Sequence, residues 1–290
     1  MVHTSVANDE IAFAGATAFI TNSRAIIGPP GCGKTSARLT LEAASKYIGG
    51  HASSDSSEIM DWHLNPTNKS PYFDTAVKAQ HDRQAGRLVD NKVIYDLIHY
   101  RFKVQKQELL ISQEIDLKQM DISGFPRNQA QGEMMPGLFM DWKIYAILIS
   151  QEEANKNRLK RIAMGVQRDD DTENRFLDRW ADYHRYTEPF IQSGIADGSI
   201  IPIEFGLTHR AKVHKIIHHG NYTDAQKASM KHQLHNKRCD AFWLARKYDS
   251  PDSYKRHMLL TLQLYRNGES SIAQLFLALA FAKENNISLN

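Results

Sequence analysis

Gly28-Pro29-Pro30-Gly31-Cys32-Gly33-Lys34-Thr35 follows a short apolar segment, Ala25-Ile26-Ile27. Glycine lets a backbone curl until successive N–H groups face one anion. Lys34 then sets a point charge beside that anion, and the Thr35 hydroxyl can ligate magnesium. A helix opening near Lys34 turns its positive end the same way. The pattern G-x-x-x-x-G-K-[ST] between a strand and a helix is a phosphate-binding loop. It points to a nucleotide held by Gly28, Gly31, Cys32, Gly33, Lys34 and Thr35. Taken by itself, the loop also admits a plainer reading, a glycine turn that happens to precede a helix.

Two further segments carry groups suited to phosphate chemistry. Ile122-Ser123-Gly124-Phe125-Pro126-Arg127 is followed by Gln131. Arg168-Asp169-Asp170-Asp171 is followed by Arg179, Tyr183 and Thr187-Glu188-Pro189. Arg127 comes after a Gly-Phe-Pro turn expected at the carboxyl end of a strand, where ligands of open α/β sheets bind. A guanidinium there grips phosphate with two hydrogen bonds. Gln131 lies one helical turn further on the same face, with an amide that both donates and accepts. Arg168 and Arg179 are fixed positive charges of a kind that can meet spreading negative charge, with Asp169, Asp170 and Asp171 between them. The plain reading of that last group is a charged, solvated helix face.

Together with the loop, these segments resemble the adenylate kinase family of nucleoside monophosphate kinases. That family carries a G-x-P-G-x-G-K loop, a D-G-[FY]-P-R segment with glutamine four residues beyond, and R-x-D-D followed by Arg, Tyr and T-x-P. The order and internal spacing match over about residues 24–220. The resemblance implies ATP as phosphoryl donor, Mg2+ at Thr35, and a nucleoside monophosphate as acceptor. AMP is favoured through Gln131, the position that reads the acceptor base in the family. It also implies acceptor contacts from Arg127, Ser53, Ser54 and Val89, the last within Gly86-Arg87-Leu88-Val89, which is similar to the family's G-x-L-V. Lys34, Arg127, Arg161, Arg168 and Arg179 would then be catalytic, with Ser123, Asp170 and Asp171 supporting them.

The chain departs from the family in three places. Ser123 stands where the family has an aspartate that anchors the magnesium water shell. Asp121, on the same strand face, would lie about 7 Å further down the strand and cannot replace it directly. His51-Ala52-Ser53-Ser54-Asp55-Ser56-Ser57-Glu58 keeps the serines of S-T-G-D-x-x-R but lacks its Gly-Asp pair and arginine, so a phosphate contact is missing or comes from elsewhere, such as Lys69. Lys34-Thr35-Ser36 replaces G-K-G-T. Two other functions therefore stay open. One is a degenerate nucleotide-binding module that regulates or scaffolds a partner. The other is slow hydrolysis with water as acceptor.

These groups must be positioned by alternating strands and helices around a mostly parallel sheet. The expected fold class is a three-layer α/β P-loop kinase fold with five strands and a short lid. Strands are expected at Arg24 to Ile27, near His51, ending at Ser123, at Lys143 to Ser150, and at Ser199 to Phe205. Ile144-Tyr145-Ala146-Ile147-Leu148-Ile149 is continuously apolar, as a strand covered on both faces should be. The Ser-, Asp-, Asn- and Pro-rich stretch from Ser53 to Tyr72 reads as a loop or irregular insertion. Tyr95 to Gln107 reads as a helix. The organisation expected is an N-terminal extension to residue 23, a kinase domain over 24–220 and a helical C-terminal extension over 221–290. Within the kinase domain the acceptor-binding segment is expected at about 51–110 and the lid at about 161–170. In the extension, Ser271-Ile272-Ala273-Gln274 fits a capping box, and Ile272 to Ala282 has the all-round apolarity of a buried helix.

The 290 residues suffice for a substantial core. With 42% hydrophobic and 24% charged residues, the chain reads as a water-soluble globular protein. A net charge of +3 is too mild to argue for nucleic acid. Two cysteines, Cys32 in the loop and Cys239, make a structural disulfide a poor fit and suit a reducing, cytoplasmic compartment. The apolar run from Ile11 to Ile20 follows Asp9 and Glu10, unlike a secretory signal, and is too short to span a bilayer. The expected partners are small-molecule nucleotides, with neither nucleic acid nor membrane. A monomer is expected, with the extension as a candidate interface. His214, His218, His232, His235 and Cys239 lack complete zinc-type spacing and read as solvated helical side chains.

Overall fold

The computed structural model describes residues 23–45, 51–84, 87–113, 119–163, 172–204, 209–220 and 222–234. Five strands form one sheet: β1 (Ser23–Ile27), β2 (His51–Asp55), β3 (Gln119–Ser123), β4 (Trp142–Ile147) and β5 (Ile200–Ile203). Their order is β2-β3-β1-β4-β5, and every pairing is parallel. All five expected strands are present. The apolar run from Ile144 supplies β4, which closes at Ile147 rather than Ser150.

Helices cover both faces, giving three layers. Alternate residues of the central strands point to opposite sides. Ile26, Tyr145, Ile147 and Ile203 face α1 (Lys34–Ser45), α9 (His209–His219) and α10 (Asp224–Leu234). On α1, Ala37, Leu41 and Ala44 recur at helical spacing and are buried against that face. Ala25, Ile27, Ile122, Ile144 and Ala146 face the other way. There they meet α2 (Ser56–Leu64), α3 (Phe73–Gln84), α4 (Asn91–Gln113), α7 (Glu173–Asp182) and α8 (Glu188–Ala196). Each fully buried aliphatic side chain in these layers contributes about 1.5–3 kcal/mol. Tyr222, Met230 and Leu234 belong to the α1 layer, so the core continues past residue 220. The expected capping box at Ser271 and buried helix after it lie outside the described residues, as does the run from Ile11 to Ile20.

The stretch from Ser53 to Tyr72 corrects the sequence reading. It is not an irregular insertion: β2 runs through Asp55, α2 follows at once, and a 3₁₀ turn spans Pro66–Asn68. Its polar residues are caps and buried partners rather than loop signals. Asp55 caps α2 by accepting from the Ser57 N–H, while the Glu58 carboxylate accepts from the Asp55 N–H. His63, fully buried, donates from Nε2 to the Leu97 carbonyl and accepts at Nδ1 from Ser70, tying α2 to α4. The α4 helix is also longer than the expected Tyr95 to Gln107.

The polar strand β3 has a structural cause. Asp121 is fully buried and accepts from Arg24 Nε at 2.5 Å and from His51 Nε2 at 2.8 Å. Arg24 in turn lies over the Tyr222 ring, 4.6 Å from its centre. Burial alone would raise the Asp121 carboxyl, but the Arg24 and His51 charges and hydrogen bonds outweigh it and hold the group below its usual range. Asp121 is thus a joint between three strands and is not available to the phosphate end. Among the described residues, no helix is long and apolar enough to cross a membrane.

Candidate active site

The phosphate loop joins β1 to α1. Gly28, Gly31 and Gly33 all have positive φ, at 139°, 79° and 87°. Two are also needed for space. A Cβ at Gly28 would come within 2.5 Å of the Ile147 carbonyl oxygen, and one at Gly31 within 2.7 Å of that of Ala154. The first N–H groups of α1 have no partner within the helix and open toward the loop. Lys34 Nζ donates to the carbonyls of Gly28 and Pro29, each at 2.8 Å. Cys32 Sγ lies 3.7 Å from the same ammonium. Burial, together with the nearby Arg127 and Arg179 charges, pulls the Lys34 ammonium below its ordinary value. An anion bound beside Lys34 would reverse that balance by favouring the charged form.

The Gly124-Phe125-Pro126 turn places Arg127 at the end of β3. Gly124 takes a φ of 80°, its N–H donates to the Ile26 carbonyl at 3.3 Å, and its own carbonyl accepts from Arg127 Nε at 2.8 Å. Arg127 reaches solvent on one side, yet surrounding protein and the Arg179 guanidinium lower its pKa from the ordinary arginine value. Arg83, at the end of α3, adds a further positive charge within reach of Arg127. Lys69, the cation suggested by the sequence, sits exposed in a left-handed backbone position after the 3₁₀ turn.

Arg179 stands on α7, just before a π-helical turn at Tyr183–Thr187. Pro189 has no N–H to continue an α-helical ladder, and the Glu188 N–H instead bonds the Tyr183 carbonyl, five residues back. Arg161 is half-buried near the end of α6 (Gln151–Ala163), the helix that rests on the phosphate loop. Asn157 Nδ2 of α6 donates to the Gly31 carbonyl at 3.1 Å. Arg168, Asp170 and Asp171 lie outside the described residues. The structure therefore brings Lys34, Arg127 and Arg179 into one electrostatic cluster, with Arg161 on the adjoining helix.

Other expected acceptor contacts are engaged within the protein. Ser53 accepts from Arg38 Nη1 at 2.7 Å and donates to Glu42. Ser54 accepts from Gln105 Nε2 at 3.1 Å. Gln131 is buried, accepts the Arg127 N–H at 2.7 Å, and donates to Asn91 Oδ1 at 3.0 Å. Its amide orients the backbone of Arg127. Val89 is half-buried and packs against the core of the α4 side.

Sequence reasoning missed Asp55. It ends β2 directly opposite Ser123 in the β2–β3 register, and Ser123 Oγ donates to its Oδ2 at 2.5 Å. A carboxylate thus stands beside the strand end where Ser123 had removed one. Burial pushes the Asp55 carboxyl up, but hydrogen bonds from Ser123 and Ser57 outweigh it and hold the group below its usual range. Its charge acts on both Lys34 and Arg127. The signal was the Asp-Ser-Ser-Glu cap after β2, which reads as a turn until the strand register is known. Among the described residues, no group of three or more His, Cys, Asp or Glu side chains could hold a metal by itself. Thr35 and Asp55 are hard oxygen donors of the kind magnesium takes alongside nucleotide phosphates. His214 and His218 lie exposed on α9; His235 and Cys239 are outside the described residues.

No protein-family model matches the chain, and no curated protein matches it. Among solved structures, the crystal structure of a candidate kinase from Chloroflexus aurantiacus J-10-fl aligns with 68% of this chain and 98% of its own, at 16% identity and a TM-score of 0.40. A likeness of that size carries no functional assignment, which falls to the geometry of the site.

Proposed function

We propose that this protein is a phosphotransferase that moves the γ-phosphoryl group of ATP to an oxygen acceptor. The observation that carries the reading is the convergence of Lys34, Arg127, Arg179 and Asp55 at the carboxyl ends of β1, β2 and β3. Phosphoryl transfer asks a protein mainly for positioning and charge neutralisation. The loop N–H groups and Lys34 would bind the β and γ phosphates. Arg127 and Arg179 would meet the charge that spreads over the transferring group. Thr35 would hold magnesium, which supplies further neutralisation when it arrives with the nucleotide. The α6 helix would bring Arg161 over the site and help exclude water.

The resemblance to adenylate kinases favours AMP as acceptor. Ser53, Ser54 and Gln131, the residues that would receive it, already serve Arg38, Gln105 and Arg127. The reading therefore holds at the level of an oxygen acceptor near Arg127. The rival reading, a degenerate binding module, draws on the lost carboxylate at Ser123 and on the altered acceptor segment; Asp55 weakens the first ground, while the engagement of Ser53 and Ser54 within the protein leaves the second standing. The test is Mg-ATP binding by calorimetry with ADP formation across acceptors and a no-acceptor control. Acceptor-dependent ADP formation supports the transferase; tight binding with none supports the binding module.

A further inference from the structure

We propose that Arg83 determines acceptor specificity: with Arg127 it grips a phosphate group on the acceptor, supplying the cation that the altered segment after β2 lacks. The inference rests on the transferase reading and adds to it a residue and the chemical class of the second substrate. Arg83 stands exposed in the last turn of α3, and its charge reaches both Arg127 and Asp61 of α2. Among the described residues, neither Arg83 nor Arg127 has a carboxylate within 4 Å. Asp82, next to Arg83 in the chain, is taken by Arg87 at 2.6 Å. The Arg127 side chain spends only Nε on the protein, donating to the Gly124 carbonyl at 2.8 Å. Its Nη atoms keep the planar fork that takes two phosphate oxygens at once.

The charges that face this place leave an excess of cation. Lys34, Arg83, Arg127 and Arg179 stand against Asp55, Asp61 and Asp182. Asp182 in turn faces Asp178 and Arg185, which offset each other. Arg179 and Arg83 both oppose the charge of Arg127. A phosphate dianion seated between Arg83 and Arg127 turns that repulsion into charge-assisted hydrogen bonds. An alcohol brings no charge and leaves the repulsion standing. A phosphate also enters already ionised, so no base is required. In the transfer, one of its oxygens bonds to the γ-phosphorus as the bond from that phosphorus to the β,γ-bridging oxygen breaks. ADP leaves with that electron pair, and the acceptor leaves as a diphosphate ester. A cation in the last turn of a helix also offsets the helix dipole. That role alone predicts a change in stability and none in acceptor binding.

The experiment measures transfer from γ-labelled Mg-ATP to AMP, CMP, GMP, UMP and glycerol phosphate, with adenosine, glycerol and water as uncharged counterparts. It is run at about pH 8, where a phosphate ester is a dianion, and phosphorus NMR tells a diphosphate product from separate monoesters. Wild type is compared with Arg83→Gln and Arg83→Lys. The expected result is a diphosphate formed from at least one ester and no transfer to adenosine or glycerol. Arg83→Gln then raises the KM of that ester by about 10–100-fold, the loss of a hydrogen bond to a charged group, with kcat and Mg-ATP affinity within about threefold. Arg83→Lys recovers part of the loss, because it keeps the charge but not the fork. Inorganic phosphate competes with the ester in wild type and loses potency in Arg83→Gln by the same factor. Transfer to an ester whose KM Arg83→Gln leaves unchanged overturns the inference while the transferase stands. So does transfer to an alcohol in preference to an ester. A fall in Tm with no change in KM overturns it too and leaves Arg83 as a helix-end charge only. Mg-ATP bound without transfer to any acceptor removes it as well; no Mg-ATP binding removes the transferase reading itself.

Discussion

Asp121→Asn should damage the fold far from the phosphate loop. Asp121 and Arg24 are 0% and 2% exposed, and the carboxylate also receives His51. The amide keeps the shape but removes the charge that justifies a buried guanidinium. Arg24 already has both Nη atoms without a hydrogen-bond partner, leaning on the Tyr222 ring instead. Breaking a buried ion pair on one side costs about 3–5 kcal/mol. For a domain of this size, that corresponds to a fall in Tm of about 6–20 °C. The assay is urea unfolding at constant pH, with Tm by calorimetry. The sign of the pH effect follows from the lowered carboxyl pKa. The folded value lies below the unfolded one, so the stabilisation is fully present above about pH 4 and fades as pH falls through the folded pKa. Asp121→Asn should remove that acid-side loss. Replacing the pair together, Arg24→Met with Asp121→Leu, should recover most of the stability. A loss below about 1 kcal/mol for Asp121→Asn, with an unchanged acid limb, would refute the argument.

Lys34→Ala should lower turnover by about 10²–10³-fold and weaken Mg-ATP binding, read by steady-state kinetics and calorimetry. Gly28→Ala should abolish nucleotide binding or soluble expression, because its Cβ would meet the Ile147 carbonyl at 2.5 Å in a backbone region that side chains avoid; a well-folded variant by circular dichroism with normal ATP affinity would count against the loop geometry. Met230→Ala should cost about 2–5 kcal/mol, since this fully buried side chain closes the α1 layer. A cost near zero in urea unfolding would place α10 outside the cooperative core.

Most of the sheet was legible because its strands are marked by contiguous signals: the phosphate loop after β1, the Gly-Phe-Pro turn after β3 and the apolar run from Ile144 in β4. What escaped depends on pairing across long sequence distances. Asp55 and Ser123 are 68 residues apart, and only the β2–β3 register puts them side by side. The polar character of β3 was visible but not its cause, since Arg24 and Asp121 are 97 residues apart. The segment after Ser53 was misread because serine, aspartate and asparagine favour turns and helix caps alike. Here they cap a helix, and burial of Ile59, Met60 and His63 decides the matter. Gln131 shows the reverse case: its position on the turn was foreseen, while its commitment to Arg127 and Asn91 was not.

Arg38 deserves a last consideration. It is fully buried on α1, with Nη1 on Ser53 of β2 and Nη2 on Glu58 of α2, whose other oxygen holds the Asp55 N–H. The side chain acts as a strut between α1, which opens from the glycine loop, and the strand end that carries Asp55. Those two parts share one frame, so the distance between them is set when the chain folds and not when a substrate arrives. In building terms, Arg38 is a tie-beam that holds α1 and the end of β2 at a fixed span.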